Sequence, residues 1–287
     1  MNEANASLKR IISMDKEREL HTGIQGNFAM ICPRRFARYP SLEGAQVLIT
    51  GGASGIGAAM VEQFALQGSR VAFVDIAGTE AHELVEELKG RCTHLPRFWV
   101  CDLRDIAALK STFSEIEREF GAIHVLVNNA ANDDRHELSD VTLEYWDDRM
   151  AVNLRHQFFL IQSVVPSMIS VGGGSIINMS SIAPMIPSTG FPVYVTAKAA
   201  IVGLTRTMAH ELGRSNVRVN CVLPGAVQTE RQQHLWWTPE YEAEIMKRQA
   251  LKRTVMPDDV ARLVLFLASD DSGAITNQSY VVDAGWV

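Results

Sequence analysis

Residues Thr50–Gly57 read "TGGASGIG". They follow a short apolar run, "QVLIT" (46–50), and open a segment of helical spacing, "GAAMVEQFALQG" (57–68). Gly51, Gly55 and Gly57 are spaced for a tight turn, a close backbone approach and close packing of helix on strand. The helix that begins here offers free backbone N–H groups, and the positive end of its dipole, to a pyrophosphate. Glycine turns between strand and helix are common, so the context decides. A second apolar run, "RVAFVD" (70–75), ends on Asp75, the place where a carboxylate would meet the adenosine ribose of a dinucleotide.

Outward from this point the pattern alternates. "EAHELVEELKG" (80–90) is an amphipathic helix, and "RFWVC" (97–101), "HVLVNN" (124–129), "SIINMS" (175–180), "VRVNCV" (217–222) and "SYVVD" (279–283) read as further strands separated by helical segments. Regular alternation implies a parallel sheet with helices on both faces. The strands are continuous apolar runs, as strands covered on both faces are. The expected fold is therefore α/β, a single Rossmann-type doubly wound parallel sheet of about seven strands. After residue 44 there is no repeat, linker or low-complexity tract, which makes 41–287 one domain. Residues 1–40 mix charges of both signs and read as an N-terminal extension, flexible or laid on the surface.

Composition narrows the function. Of 287 residues, 47% are hydrophobic and 21% charged, the balance of a soluble globular protein with a sizeable core. A net charge of −6 gives no reason to expect a nucleic acid partner, and no apolar stretch is long enough to span a bilayer. Cys32, Cys92, Cys101 and Cys221 are scattered, without metal-ligand spacing. Reduced thiols, no metal site and a cytoplasmic location are expected.

The nucleotide preference is legible too. Asp75 can accept hydrogen bonds from both ribose hydroxyls and would repel a 2′-phosphate. Ser54 stands before the second glycine, where a phosphate-binding enzyme would place an arginine. Both favour NAD over NADP, with Arg70 the one nearby cation that could offset them. Asp102, in "CDL", is placed to meet the adenine edge.

"VYVTAKAA" (193–200) puts Tyr194 and Lys198 one helical turn apart, hence on one face. Alone, such a pair is a surface helix with a solvated lysine. A free tyrosine has a pKa near 10, too high for a base at neutral pH. An ammonium about 4 Å away at an effective dielectric near 20 is worth roughly 4 kcal/mol, enough to lower that pKa by up to roughly three units. The expectation is a phenolate base accessible near neutrality.

In order along the chain, "TGGASGIG", Asp75, "CDL", "NNAA", "VNL", "MSSI", "YVTAK", "PGAVQT" and "VDAGW" resemble the motifs of the short-chain dehydrogenase/reductase family, from about Leu42 to Val287. The resemblance implies that Tyr194 is the general acid/base, Lys198 its partner, Ser181 the hydroxyl that holds the substrate oxygen, and Asn153 the helix asparagine that holds a relay water. It implies NAD contacts from Gly51, Ser54, Gly55, Ile56 and Gly57, from Asp75, Ile76, Asp102 and Leu103, and from Asn129, Ala130 and Ala131. Tyr194 and Lys198 would hold the nicotinamide ribose, and Pro224, Gly225, Val227 and Thr229 the carboxamide. Ala131 and Ala284 replace glycines of the family pattern, each adding only a methyl group.

Substrate choice lies outside this machinery. "NDDRHELSDVT" (132–142) is too polar to suit a steroid or acyl chain, and "TERQQHLWWTPEYEAEI" (229–245) occupies the place of the family's mobile lid. Aromatic faces beside amides and charges suit a sugar ring, and Asn132, Asp133, His156, Ala183 and Trp236 are the candidate substrate contacts. Packing or a subunit contact would equally explain the tryptophans, a solvated loop the charges, and a structural helix position His156. With "YPSL", "NDDRH", "YWDDRMAVNLRH" and "LVLFLASDDS", the chain resembles the bacterial NAD-dependent aldose 1-dehydrogenases, above all the D-xylose group. That resemblance implies oxidation of the C1 hydroxyl of an aldopyranose to a lactone. A polyol or secondary-alcohol dehydrogenase (or carbonyl reductase) is the alternative enzyme, and an NAD-sensing scaffold the alternative outside catalysis. The family's habit implies a homotetramer or homodimer, paired through "RHQFFLIQSVVPSMI" (155–169) and "TAKAAIVGLTRTMAHEL" (196–212).

Overall fold

Strand β1 (Gln46–Thr50) is buried beyond its first residue because alternate side chains serve opposite faces. Val47 and Ile49 pack with Phe64, Phe73 and Val127 on one side, and Leu48 packs with Val74, Leu126 and Ile176 on the other. The structure, a computed structural model, describes residues 36–287. The expected extension therefore lies mostly outside the described residues, as does Cys32.

After β1 come α1 (Gly55–Leu66), β2 (Arg70–Asp75), α2 (Gly78–Glu87), β3 (Arg97–Val100), α3 (Ile106–Phe120) and β4 (Val125–Asn128). Then follow α4 (Leu143–Met150), α5 (His156–Ser170), β5 (Gly174–Met179), α6 (Pro192–Leu212) and β6 (Val217–Pro224). The chain closes with α7 (Glu230–Leu235), α8 (Pro239–Arg248), α9 (Pro257–Ala268) and β7 (Ser279–Val282). The seven strands pair in parallel in the order β3-β2-β1-β4-β5-β6-β7. This is the doubly wound α/β sheet read from the sequence. Helices α1 and α9 cover one face through Val61, Phe64, Val264 and Leu265, and α3 and α5 the other through Phe113, Ile116, Leu160 and Val164. No helix among the described residues is long and apolar enough to cross a membrane.

Two features differ from the sequence reading. The edge strands β3 and β7 are not covered on both faces, and Val100 is 64% exposed. An edge strand has a neighbour on one side only, so its runs are apolar without being buried. Between α4 and α5, Ala151–Arg155 winds as one π-helical turn, which composition does not announce.

The strand order reverses between β1 and β4, and ligands of open α/β sheets bind in the crevice outside the carboxyl ends at such a switch point. Here the crevice opens between Gly51, after β1, and Asn129, after β4.

Candidate active site

The glycine loop is shaped by what it cannot hold. Gly51 has φ +65°, and a Cβ there would lie 2.7 Å from the Ala130 Cα. A Cβ on Gly57 would lie 1.8 Å from the Gly51 carbonyl oxygen. Asn129 fixes the other wall: its Nδ2 donates to the carbonyls of Thr50 (3.0 Å) and Gly51 (2.9 Å), and the Thr50 hydroxyl accepts from the Asn129 and Ala130 amides. Asp75 accepts from the Ala53 amide at 2.9 Å and the Ala77 amide at 3.1 Å, which leaves each oxygen further acceptor capacity. Ile76 beside it is 68% exposed, an apolar surface at the mouth of the crevice. The first N–H groups of α1 have no acceptor within the helix. Ser54 precedes this helix with its side chain making no capping bond. A loop stripped of side-chain volume, a carboxylate and free N–H groups fit a dinucleotide.

Three residues of this region have surroundings that the sequence does not show. Asp102 is paired with Arg104 at 2.6 Å, and that guanidinium holds its carboxyl below the usual range. The carboxylate expected at the adenine edge is thus part of an exposed ion pair. Leu103, next to it, is buried in the core. Arg70 starts β2, at the far end from Asp75, and its guanidinium lies over the Phe120 ring, 5.5 Å from its centre.

A cavity of about 230 Å³ continues from the cradle. It is lined by Ile56, Asn129, Ala131, Pro224, Gly225, Val227 and Thr229 from the expected cofactor set, and by Ser181, Ala183, Tyr194 and Lys198. The Ser181 hydroxyl accepts from the Ala183 amide at 3.0 Å and is hydrogen-bonded to the Tyr194 hydroxyl. Tyr194 and Lys198 share one face of α6, as their spacing predicts. Lys198 is 2% exposed, and its ammonium donates to the Met179 carbonyl at 2.9 Å, 5.4 Å from the centre of the Tyr194 ring.

The electrostatics correct the expected depression of the tyrosine pKa by lysine. The protein packed around the Tyr194 hydroxyl pushes its pKa up, and Asp133 adds to the rise. The Ser181 hydrogen bond and Arg135 pull the other way. Burial lowers Lys198 to about 8, so this ammonium is itself held at a cost. An unfolded chain with the ordinary value of 10.5 binds that proton more tightly. The native state is therefore penalised in full below about pH 8, and the penalty fades as pH climbs through 10.5. Replacing Lys198 by Met removes the titration. Its stability relative to the parent should fall by roughly 3 kcal/mol across that window, measured by denaturant unfolding at successive pH values.

The other predicted residues separate into two groups. Asn153 is fully buried on the π turn: its Oδ1 accepts from the Asn132 amide (2.9 Å), and its Nδ2 donates to the carbonyls of Asn132 (3.0 Å) and Arg149 (2.9 Å). Its side chain is consumed in holding the loop after β4. Asn132 is correspondingly a structural residue, its side-chain oxygen accepting from the Asp134 amide. His156 is fully buried, with Nε2 3.3 Å from the Ala130 carbonyl oxygen, and burial lowers its pKa to about 4. It supports the cofactor turn from behind and cannot touch a substrate. Trp236 does not line the cavity either; it packs near Arg135, whose guanidinium carbon lies 5.5 Å from its ring centre. Asp133 and Ala183 do line it.

Sequence reasoning passed over Phe191, Gln232, Tyr241 and Trp286, all cavity-lining. Phe191 stands three residues before Tyr194, and Trp286 closes the "VDAGW" motif, so both carried a signal. Gln232 and Tyr241 sit in the segment recognised as a lid, where nothing local distinguishes them.

The comparisons agree with this geometry. A family model described as enoyl-(acyl carrier protein) reductase matches residues 51–287. The D-xylose 1-dehydrogenase of Caulobacter vibrioides is 50% identical over 87% of this chain and 98% of its own length. A Rhizobium meliloti protein named "Probable galactose dehydrogenase GalD" is 49% identical over 87% of this chain and 97% of its own. Among solved structures, a 7α-hydroxysteroid dehydrogenase complexed with NADH and 7-oxo glycochenodeoxycholic acid superimposes with a TM-score of 0.82 at 30% identity, covering 86% of this chain and 96% of that one.

Proposed function

Because this chain belongs to the short-chain dehydrogenase/reductase family, oxidoreductases that act on CH–OH groups with NAD(P), we propose that it oxidises the C1 hydroxyl of an aldopyranose to the lactone. One observation carries the reading: Ser181, Tyr194 and Lys198 converge on a single cavity that is continuous with the dinucleotide cradle and walled by Asp133, Arg135 and Gln232. Such polar walls suit a polyhydroxylated ring. The relatives at about half identity, whose names carry D-xylose and galactose, support the same class.

Ser181 and Tyr194 grip the reacting hydroxyl from two sides. Tyr194 takes its proton, Ser181 holds the oxygen in place, and Lys198, on the same face of α6, is held at the cavity by its bond to the Met179 carbonyl. The oxidised dinucleotide, when bound, would supply the hydride acceptor and a positively charged ring. Gly51, Gly55, Ile56 and Gly57 with the start of α1 would hold its phosphates, Asn129–Ala131 and Lys198 its sugars, and Pro224, Gly225, Val227 and Thr229 its carboxamide. The side-chain bonds of Asn153 fix the π turn and with it the loop that carries Asp133.

Within this reading NAD is the cofactor. The Asp75 carboxylate at the end of β2 supports it, and so does Arg70 at the strand's far end, where it cannot compensate a 2′-phosphate. Asp75→Ser should lower kcat/KM for NAD by roughly 10- to 100-fold, the value of a charged hydrogen bond, while activity with NADP rises. The ratio of rates with the two cofactors reads this directly. A homotetramer in the cytoplasm completes the proposal. A partly exposed apolar surface formed by Met150 on α4, Leu154 on the π turn, Phe158 on α5 and Leu204 on α6 supports subunit pairing, and Cys92, Cys101 and Cys221, free and mostly buried, support a reducing compartment.

The test is a panel of aldopentoses and aldohexoses against NAD and NADP, following reduced cofactor, with the product trapped as hydroxamate. Turnover with lactone formed supports the reading. Turnover of open-chain polyols alone, with no lactone, overturns it in favour of a polyol dehydrogenase.

A further inference from the structure

Three consecutive charges follow β4, and the structure uses them unequally. Asp133 accepts from Gln232 Nε2 at 2.7 Å and lies 3.5 Å from Arg231 Nε. Asp134 is bridged between Arg231 at 2.7 Å and Arg149 at 2.9 Å. Both carboxylates are thus spent on tying this loop to α7 and α4. Arg135 is different. Among the described residues no side chain or carbonyl accepts a hydrogen bond from it, and it has no carboxylate within ion-pair distance.

Yet Arg135 is not loose. Its guanidinium carbon lies 3.8 Å from the centre of the Phe191 ring, and Trp236 stands on it at 5.5 Å. Phe191 in turn stacks on Tyr194, with ring centres 5.4 Å apart. Stacking employs the faces of the guanidinium and leaves the N–H groups, which lie in its plane, free to donate. Those donors belong to a residue that lines the same cavity as Ser181 and Tyr194. Arg135 is exposed to the cavity's opening, and a planar fork stacked on one ring face matches two oxygen acceptors on a rigid substrate.

We propose that Arg135 is a specificity-determining residue that donates to a pair of substrate oxygens remote from the reacting carbon, through the guanidinium edge left free by its stacking on Phe191. The proposal rests on the reading above that the substrate is a polyhydroxylated ring. The oxygen pair is either a vicinal diol of a neutral sugar or the carboxylate of a sugar acid. The two share the acceptor chemistry.

The experiment uses the full chain with saturating NAD, the best substrate of the panel, each of its monodeoxy analogues and the corresponding uronic acid. Wild-type turnover is measured first, so failure of the sugar reading shows there and not in the variants; the same series is then built on whichever polyhydroxylated alcohol is turned over. Arg135→Gln should raise the substrate KM at least tenfold and leave the NAD KM unchanged. For each of the two analogues that lack one partner hydroxyl, the substitution should cost clearly less than it does for the parent sugar. If the natural partner is a carboxylate, the uronic acid is the better wild-type substrate and loses that advantage in the variant. Arg135→Lys, which keeps the charge and loses the fork, should fall close to the glutamine variant and serves if that variant folds poorly. An equal loss for the parent sugar, every deoxy analogue and the uronic acid, or no change in any KM, overturns the proposal.

Discussion

A Tyr194→Phe variant is expected to fold and bind cofactor like the parent and to lose roughly 10²- to 10⁴-fold in kcat, the usual contribution of a positioned acid/base. Little else depends on the hydroxyl. The ring keeps its stacking on Phe191, and the Ser181 oxygen keeps its bond from the Ala183 amide. What disappears is the hydroxyl that is hydrogen-bonded to Ser181 in the cavity. The pH profile sharpens the test. Burial and Asp133 hold the Tyr194 pKa above its ordinary value, so the phenolate fraction is small at neutral pH and grows with pH. Alcohol oxidation by the parent should therefore rise from the acid side, and the residual rate of the phenylalanine variant should be flat over the same range. A variant that retained more than a tenth of the parent's kcat would remove Tyr194 from the chemistry.

The lysine shows where sequence reasoning stops. Spacing placed Lys198 on the right face of α6, and charge arithmetic then made it the agent that lowers the tyrosine pKa. The arithmetic assumed a charge aimed at the phenol in a medium of fixed dielectric. In the folded chain the ammonium is committed to the Met179 carbonyl and is itself so buried that its own pKa falls to about 8. Burial is a property of the whole assembly, and no local motif reports it. The phenol therefore depends on what binds next to it for the rest of its activation.

The sheet itself was legible because its signals are local and repeated. Runs such as "QVLIT" and "RVAFVD" became β1 and β2 with the boundaries read from the sequence. Covered and edge strands look alike in such runs, which is why β3 and β7 read from sequence as fully covered. In the site, the residues defined by backbone shape were legible: glycines, the Asn129 turn and Asp75. Residues defined by packing were not. His156 reads as a polar helix residue one step from Asn153, and only the fold shows it fully buried behind Ala130. Arg135 sits in a loop whose three charges look equivalent until their partners are known.

Gly57→Ala should be the most damaging single methyl in the chain for cofactor binding. The added Cβ would lie 1.8 Å from the Gly51 carbonyl oxygen and 2.8 Å from Asn129 Nδ2. Neither neighbour is a flexible end that can swing away. The carbonyl belongs to the turn that leaves β1, and Asn129 Nδ2 is bonded to that carbonyl and to Thr50. Relief requires α1 to lift off the turn or the turn to move, and either displaces the N–H groups expected to meet the phosphates. The core is a different matter. Met60, Val61 and Phe64 of α1 are fully buried against the sheet further along the helix, so the chain should still fold, at an overpacking cost of about 1–3 kcal/mol. The expected result is a loss of NAD affinity of at least about 100-fold, read by calorimetry, with thermal unfolding still cooperative. Gly90→Ala is the control. Gly90 also has a positive φ, +73°, but nothing lies within 4 Å of the added methyl. Alanine there should cost about 1–2 kcal/mol of stability from backbone strain and leave NAD binding unchanged. Equal loss of NAD affinity in the two variants would mean that strain in the chain, and not the shape of the cradle, governs binding.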